Sequence, residues 1–257
     1  MFSEERRQEI LKLLEQKGRV LAKDLSDRFN MSIDSIRRDL SIMEEQRLLK
    51  RTHGGAIPIP NVRNMAQPPS KRYGEGSIYQ NAIAKLAASY IKENQTVFIG
   101  GAAIHYVLLK YLPNDVPFTV ITNSVVIAFF LRDLENVRTY LIGGEVKSSG
   151  NITDALANES AQQFTVDLCF ATAGALSSKG LSTATPEVSV FHKTVYKNSR
   201  RIIALIEHYK FGMDMFSGMY PVKGINVIIT DEETTKENID MIKAQGVEVL
   251  VSKNENN

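Results

Sequence analysis

A run of short polar and cationic side chains begins at residue 32 and is interleaved with an apolar stripe. The apolar residues recur at helical spacing, which predicts a helix over residues 33–46 with one buried face; they are Ile33, Ile36, Leu40 and Met43. Ser32 precedes the stripe and is a preferred helix-capping residue. The opposite face carries Asp34, Ser35, Arg37, Arg38 and Ser41. An α-helix fits the major groove of DNA, where an arginine can bond a guanine edge through two hydrogen bonds.

A basic hairpin is predicted immediately after this helix, over residues 48–57. Two apolar strand ends flank Gly54-Gly55, a pair that is typical of a tight turn between antiparallel strands. The nearby cations can contact phosphate or the minor groove. The predicted DNA contacts are therefore Ser32, Asp34, Ser35, Arg37, Arg38, Lys50, Arg51, His53, Gly54 and Gly55. A small helical unit with a solvated charged face is the alternative interpretation of the same residues.

Two more helices are predicted before these elements, over residues 4–17 and 21–29, and a segment rich in Pro, Gly and Ser follows at 58–76. The chain of 257 residues is long enough for two domains. We therefore predict a DNA-binding domain at 1–57, a linker at 58–76 and a larger domain at 77–257. Residues 1–57 hold 12 basic and 10 acidic side chains, so any affinity for DNA must come from where the charges lie.

Short apolar runs alternate with helical patterns through the rest of the chain. The predicted strands are 96–99, 118–122, 139–142, 167–171, 201–206, 226–230 and 247–251, and the predicted helices are 78–92, 104–111, 124–134, 187–198 and 235–245. Strands that are apolar at consecutive positions are typical of a sheet buried on both faces. The alternation predicts an α/β domain with a doubly wound, mostly parallel sheet.

Four short motifs occur together in the first 57 residues: Arg6-Arg7-Gln8-Glu9-Ile10, Asp24-Leu25, Ile36-Arg37-Arg38-Asp39-Leu40 and Leu48-Leu49-Lys50-Arg51-Thr52-His53-Gly54-Gly55-Ala56. In this combination they resemble the winged helix-turn-helix of the DeoR family of bacterial regulators. The resemblance implies that the third helix binds double-stranded operator DNA, usually to repress genes of carbohydrate metabolism. It also implies that Asp39 orients one of the two arginines before it.

The resemblance continues more weakly over residues 75–231, at landmarks that follow predicted strands: Thr122-Asn123-Ser124, Gly143-Gly144-Glu145 and Lys210-Phe211-Gly212. It implies a Rossmann-like domain similar to ribose-5-phosphate isomerase and the CoA transferases, with a phosphorylated sugar as effector. Open α/β sheets bind ligands at the carboxyl ends of their strands. The predicted effector-binding residues are Gly100, Gly101, Ala102, Thr122, Asn123, Ser124, Gly143, Gly144, Glu145, Thr172, Glu207 and Lys210, with Lys210 as a countercharge.

Three of these loops depart from the family pattern. After the first strand the family has Asp, a small residue, Gly, Thr and Thr, whereas this chain has Gly100-Gly101-Ala102-Ala103-Ile104. After the fourth, Gly-Ala-Asp-Gly is replaced by Thr172-Ala173-Gly174-Ala175, and after the fifth the usual Asp is Glu207. The side chains that would form hydrogen bonds with sugar hydroxyls are thus missing. Each sugar hydroxyl left without a hydrogen-bond partner costs about 1–3 kcal/mol of binding free energy. We hypothesise a degenerate pocket with an altered effector or none.

Other chemistries find less support in the sequence. The four histidines lack metal-ligand spacing, Cys169 lies in an apolar run typical of a buried thiol, and neither a dinucleotide nor a P-loop motif is present, so we predict no catalytic residue, metal or cofactor. The alternative is a sugar-phosphate isomerase-like or transferase-like enzyme using Glu145, Glu187 or Glu207 as a base. A third interpretation is an architectural protein that assembles on DNA without a ligand.

The remaining expectations concern assembly and location. One winged domain buries limited DNA surface, so specific affinity usually needs two half-sites. We therefore expect a homodimer or homotetramer held by the C-terminal domains. The longest uninterrupted apolar stretch, 125–131, is too short for a membrane span, and no secretory signal follows Met1, which predicts a cytoplasmic protein without membrane contact.

Overall fold

The computed structural model describes residues 3–17, 19–46, 48–58 and 73–253. The chain divides into two compact units, Met1–Asn61 and Val62–Asn257. Most of the predicted linker, residues 58–76, lies outside the described residues. Within the described ranges, no helix is both long and apolar enough to cross a bilayer.

The first unit contains three helices and a three-stranded antiparallel sheet. The helices are α1 (Ser3–Lys17), α2 (Ala22–Phe29) and α3 (Ile33–Glu45), and the strands are β1 (Val20–Leu21), β2 (Leu49–Thr52) and β3 (Gly55–Pro58), in the order β1-β3-β2. The apolar stripes of the helices meet in one core, which includes Ile10, Leu14, Leu25, Ile36, Leu40 and Met43. This arrangement is a winged helix-turn-helix, in which β2 and β3 form the wing.

Local capping explains where α2 and α3 end and begin. Asn30 ends α2 in the left-handed conformation, with φ 50°, which an asparagine tolerates better than most residues. The Ser32 hydroxyl oxygen accepts a hydrogen bond from the Ser35 backbone N–H at 3.2 Å, as predicted for the cap of α3. These two caps set the turn that directs α3 away from α2.

Two residues that the apolar pattern places in this core are exposed. Leu21 is 44% exposed because it belongs to β1, where it alternates with the inward-facing Val20. Ile33 is 37% exposed because it begins α3, one turn before the first fully buried residue, Ile36. The prediction was therefore wrong for the outermost residue of each stripe.

The second unit is built on a seven-stranded sheet in the order β13-β12-β10-β7-β4-β5-β6, in which every pairing is parallel. These strands are β4 (Thr96–Ile99), β5 (Phe118–Thr122), β6 (Val137–Leu141), β7 (Val166–Ala171), β10 (Ser199–Leu205), β12 (Val227–Asp231) and β13 (Glu248–Ser252). The helices are α4 (Ile78–Ala88), α5 (Ala103–Leu108), α6 (Val125–Leu131), α7 (Ala155–Ala161), α8 (Pro186–Lys197) and α9 (Lys236–Lys243). The predicted α/β fold with a mostly parallel sheet is confirmed.

Both faces of this sheet are covered. In the central strand β7, Leu168 and Phe170 belong to one hydrophobic cluster, whereas Cys169 and Ala171 belong to another, because successive residues of a strand point to opposite faces. Burial raises the pKa of the Cys169 thiol, so this cysteine packs as a small apolar residue.

A second, antiparallel sheet was not predicted. It consists of β8 (Ala175–Ser177), β9 (Gly180–Thr183) and β11 (Ser217–Tyr220), in the order β11-β9-β8. These strands are short and contain Ser, Gly and Thr, so they lack the apolar runs that marked the main sheet. Helix α7 was also missed, because its seven residues are too few to show a clear period.

Candidate nucleic-acid interface and effector site

Helix α3 presents its predicted contact residues on the side away from the core. Asp34, Arg37 and Arg38 are all exposed. Nη1 of Arg37 lies 3.3 Å from Oδ1 of Asp34, an exposed pair of the kind that adds little stability and exchanges easily. In the part of the chain that the structure describes, no ion pair engages Arg38. The two guanidinium groups are therefore available to an external anion or base edge.

Asp39 has a different role from the one that the family resemblance implied. Its carboxylate is 3% exposed and faces α1, where Oδ2 lies 2.6 Å from Nε of Arg6 and Oδ1 lies 3.0 Å from Nε of Arg7. Asp39 orients neither of the arginines that precede it in the sequence. Its side chain lies on the buried side of α3, as does that of Leu40, whereas Arg37 and Arg38 lie on the exposed side. The expectation that Asp39 orients one of those two arginines was wrong, and the ion pairs instead join α1 to α3.

The turn of the wing lies one residue earlier in the chain than predicted. Thr52 pairs with Gly55, so the turn consists of His53 and Gly54. Gly55 lies in β3, and a Cβ there would come within 1.9 Å of the carbonyl oxygen of Val20. Gly55 is thus required for the close approach of β3 to β1, and the prediction of a Gly-Gly turn was wrong at this residue.

Side-chain hydrogen bonds attach the wing to the helices. The Arg51 backbone N–H donates to Oε1 of Glu44 at 2.8 Å, and the Arg51 guanidinium donates to the Ser41 hydroxyl at 2.7 Å. The Ala22 backbone N–H donates to the Gly54 carbonyl at 2.8 Å. The wing, α2 and α3 are therefore held in register, and cations on different elements keep fixed relative positions.

A depression of about 200 Å³ lies between the wing and the first turns of α2 and α3. It is lined by Ala22, Lys23, Ile33, Arg37, Leu40, Arg51, Thr52, His53, Gly54 and Gly55. Lys50 does not line it, because it lies on the opposite face of β2 from Arg51. Sequence reasoning missed Lys23 and Ile33; the exposed apolar side chain of Ile33 could contact a thymine methyl group.

In the second unit, the predicted effector loops meet at one edge of the sheet. Strands β5 and β6 lie on one side of β4 in the sheet, whereas β7, the next parallel strand in the chain, lies on the other side of β4. The strand order thus reverses between β4 and β7, which is where open parallel sheets bind ligands. The predicted residues follow the carboxyl ends of β4, β5, β6, β7 and β10, so the topology brings them to the same edge.

The polar groups after β5 are occupied by local structure. The Ser124 N–H donates to Oγ1 of Thr122 at 3.1 Å, and the Ser124 hydroxyl oxygen accepts from the Ile127 N–H at 3.4 Å. Nδ2 of Asn123 donates to the Ile152 carbonyl at 2.9 Å, while its buried Oδ1 has no hydrogen-bond partner among the described residues. The side-chain oxygens of Thr122 and Ser124 are therefore engaged within the loop, whereas Oδ1 of Asn123 is not.

The loop after β6 is closed by Asp154, a residue that the sequence analysis did not select. Gly144 has φ 140°, and a Cβ there would lie 2.3 Å from Oδ1 of Asp154. The backbone N–H groups of Glu145 and Ala157 each donate to this carboxylate at 3.0 Å, which lowers the pKa of Asp154. A protein carboxylate therefore takes the Glu145 N–H donor that could otherwise hold a ligand anion.

Lys210 is already paired with a protein carboxylate. Its Nζ lies 2.6 Å from Oε2 of Glu207, and both side chains are largely buried. Nε2 of Gln80 donates to Oε1 of Glu207 at 2.8 Å, and the Tyr209 hydroxyl donates to the same atom at 3.1 Å. Burial would raise the pKa of Glu207, but the charge of Lys210 and the hydrogen bonds from Lys210 and Gln80 outweigh it, so the pKa is lowered.

The loop after β4 is held by hydrogen bonds with uncharged side chains. Nε2–H of His105 donates to the Phe170 carbonyl at 2.9 Å, and Nδ1 accepts from the Ala102 N–H at 3.4 Å. Burial lowers the pKa of His105 to about 3, so the ring is neutral. Nδ2 of Asn151 donates to the Gly101 carbonyl at 3.2 Å, and the Tyr73 hydroxyl lies 3.3 Å from the same oxygen.

No sequence signal pointed to Tyr73 or Asn151, because their partners lie far along the chain.

A separate depression of about 470 Å³ is lined by Lys179, Gly180, Leu181, Ser182, Lys193, Asp214, Met215, Gly218, Met219, Tyr220 and Pro221, and none of the twelve predicted effector residues lines it.

A winged helix-turn-helix with exposed arginines, joined in one chain to a parallel α/β unit with a ligand-type crevice, defines a ligand-responsive transcriptional regulator. Residues 6–61 match the model of the DeoR-like helix-turn-helix domain, and residues 78–232 match that of the DeoR C terminal sensor domain. The chain belongs to the DeoR family of HTH-type transcriptional regulators.

Similar proteins carry corresponding names. The chain is 32% identical over 253 residues to the HTH-type transcriptional repressor GlcR of Bacillus subtilis (strain 168), covering 98% of this chain and 97% of GlcR. It is 28% identical to the HTH-type transcriptional regulator GolR of Listeria innocua, covering 98% and 100%. A ribose 5-phosphate isomerase A from Methanocaldococcus jannaschii is a distant structural neighbour, at 14% identity and a TM-score of 0.39, covering 51% of this chain and 53% of that one.

Proposed function

We propose that this protein represses genes of carbohydrate metabolism by binding a specific operator through α3 and the wing. Asp34, Ser35, Arg37 and Arg38 would read base edges, while Ser32 and the wing residues Lys50, Arg51, His53 and Gly54 would contact the sugar-phosphate backbone. Gly55, predicted as a further contact, is buried against β1 and would position the wing instead. The observation that carries the proposal is the exposed pair of arginines on a helix whose position is fixed by the buried Asp39 and by the Glu44–Arg51 bond. In this arrangement the DNA-binding domain covers residues 1–57, the linker 58–76 and the sensor domain 77–257.

Selection of bound sequences from a random DNA library tests this proposal with the full chain. We expect a recovered palindrome or direct repeat, because two winged domains would read two half-sites. Binding should weaken as salt rises, in proportion to the phosphate contacts made. Failure to enrich any sequence, with a folded protein, would contradict operator reading.

We further propose that the sensor domain binds an altered effector, or none. Lys210 supports this, since its charge is already neutralised by Glu207. The lactose phosphotransferase system repressor of Staphylococcus aureus, 28% identical over 250 residues, makes a phosphorylated sugar the first effector class to test. Thermal-shift screening with a panel of sugar phosphates should show little stabilisation; a shift equivalent to about 2.7 kcal/mol, expected at a hundred times Kd, would establish a working sugar-phosphate pocket.

Catalysis is the weaker candidate. An isomerase-type base must accept a proton near neutral pH, but the pKa of Glu207 is lowered by Lys210. Glu187 pairs with Lys147 and accepts a hydrogen bond from the Thr153 hydroxyl at 2.9 Å. We therefore propose that the protein is not an enzyme, and turnover of a pentose phosphate by the purified chain would overturn this.

Operator binding also implies assembly and location. We propose a homodimer or homotetramer that acts in the cytoplasm, where the bacterial chromosome lies. Operator binding that no small molecule alters would favour the architectural interpretation over a sensor.

A further inference from the structure

Ile33 is an exposed apolar residue at the start of α3. It is the first residue of the helix, directly after the Ser32 cap, and it is 37% exposed. The later residues of the same apolar stripe, Ile36, Leu40 and Met43, are at most 1% exposed and belong to the core of the first unit. Among the described residues, Ile33 is not a member of that core cluster. Packing of the core therefore does not require an isoleucine at this position.

Helix formation does not require it either. A β-branched side chain loses rotamer freedom in a helix, so isoleucine has a lower helix propensity than alanine. Single exposed apolar residues are nevertheless common on protein surfaces and need no function by themselves. The surroundings of Ile33 must therefore decide whether this side chain has a role.

The surroundings of Ile33 are basic and polar. It lines the depression of about 200 Å³ between the wing and the first turns of α2 and α3. In the described part of the chain, Ile33 is the one large apolar side chain that is exposed there, since Leu40 is buried. The other exposed side chains that line the depression are Lys23, Arg37, Arg51, Thr52 and His53. A single apolar group thus lies within the basic surface that would meet DNA.

One group on the major-groove edges of the base pairs matches an apolar side chain. Those edges present hydrogen-bond donors and acceptors, with the exception of the C5 methyl group of thymine. A donor or acceptor placed against Ile33 would lose water without gaining a hydrogen-bond partner, which is unfavourable. The chemistry of the groove therefore favours thymine opposite Ile33.

The position of Ile33 along α3 is suited to reading a base. The N-terminal residues of a recognition helix are the ones that reach base edges. Ile33 and Arg37 are four residues apart, so they lie on the same side of the helix. Their separation along the axis is about 6 Å, which is close to two base-pair steps of about 3.4 Å each. The two side chains would therefore reach neighbouring positions of one half-site.

We propose that Ile33 reads the C5 methyl group of one thymine in each half-site, within about two base pairs of the base that Arg37 contacts. The inference rests on the proposed function, because it assigns a base to a further residue of the same helix. Ile33 carries no charge for a phosphate, so it contributes to the choice of sequence and little to binding of unrelated DNA.

Replacement of single thymines by deoxyuridine in the selected operator tests the proposal with the full chain. This replacement removes one methyl group and leaves base pairing unchanged. We expect one thymine in each half-site whose replacement weakens wild-type binding about fourfold, the ratio that corresponds to burial of one methyl group. Ile33→Ala should bind the two operators with nearly equal affinity, whereas Ile33→Val, which keeps a branched apolar side chain, should retain the preference for thymine.

Leu48→Ala is the matched control. Leu48 is 43% exposed in the same unit but does not line the depression, so this variant should keep the wild-type preference. If wild-type protein tolerates deoxyuridine at every position, or if folded Ile33→Ala keeps the preference, the assignment to Ile33 is wrong while operator reading stands. Equal loss of the preference in Leu48→Ala would also contradict it. Failure of the library selection to yield any operator would overturn operator reading and this inference together.

Discussion

The winged unit and the crevice of the sensor unit both contain clustered polar and cationic side chains, but these side chains differ in exposure and in pairing. On α3 and the wing, Arg37, Arg38 and His53 point outward, with at most an exposed partner. In the crevice, Lys210 is paired with a buried carboxylate, and Asp154 takes backbone donors. The first surface leaves its cations exposed to an external anion, whereas the second pairs its lysine within the protein and keeps Oδ1 of Asn123 buried without a hydrogen-bond partner among the described residues.

The comparison shows that exposed cations and internally paired charges place different demands on the fold. The exposed arginines need only a rigid helix, which the buried Asp39 and the Glu44–Arg51 bond provide. A pocket needs unsatisfied groups aimed at the ligand, and these cost stability when the ligand is absent. The pairing of Lys210 with Glu207 and the hydrogen bond from the Glu145 N–H to Asp154 remove part of that cost.

The largest expected effect concerns the support of the winged surface. Asp39→Ala leaves Arg6 buried without its partner, which should lower the free energy of unfolding by about 3–5 kcal/mol. Asp34→Ala, which removes an exposed pair on the same helix, should cost less than about 1 kcal/mol. Denaturant unfolding measures both. Equal costs would mean that the buried ion pairs do not support α3.

Removal of the Glu207 carboxylate from the crevice should lower the free energy of unfolding. Glu207→Gln leaves Lys210 without its countercharge, and we expect a loss of about 1.5–3 kcal/mol near neutral pH. The pKa of Glu207 is lowered from 4.5 on folding, so this stabilisation is present above that pH and is lost as the pH falls through the folded value. Unfolding measured from pH 7 downward should therefore show wild type and variant converging; a constant difference would contradict the pairing.

Base reading should depend on the outward arginine of α3. If Arg38 bonds a guanine edge, Arg38→Ala should weaken operator binding by about 1–3 kcal/mol and relax preference at one base pair. Arg28→Ala is a suitable control, because Arg28 is an exposed arginine of α2 outside the predicted contacts. Competition binding with substituted operators measures the preference, and an unchanged preference would exclude Arg38 from base reading.

The smallest expected effect concerns the wing. Arg51→Ala should weaken binding to all sequences alike and reduce the salt dependence by about one unit of slope, since it removes one phosphate contact. The backbone bond from Arg51 to Glu44 is retained in this variant, so the wing should keep its place. Titrations at several salt concentrations measure the slope, and a loss confined to the operator would assign Arg51 to base reading instead.

Elements that have a local sequence pattern could be predicted without the structure. The stripe of α3, the Ser32 cap and the apolar runs of the seven parallel strands could be predicted, because helices and buried strands are specified by nearby residues. The loops of the predicted effector site could be placed for the same reason, since each follows a strand.

Contacts between distant residues could not be predicted, because they depend on how the chain packs. Asp39 pairs with arginines 33 and 32 positions away, and Gln80 reaches Glu207 across 127 positions. The need for a glycine at Gly55 likewise comes from β1, which the sequence pattern did not show as a strand. Local periodicity carries no information about such contacts, because they arise only when distant segments pack together.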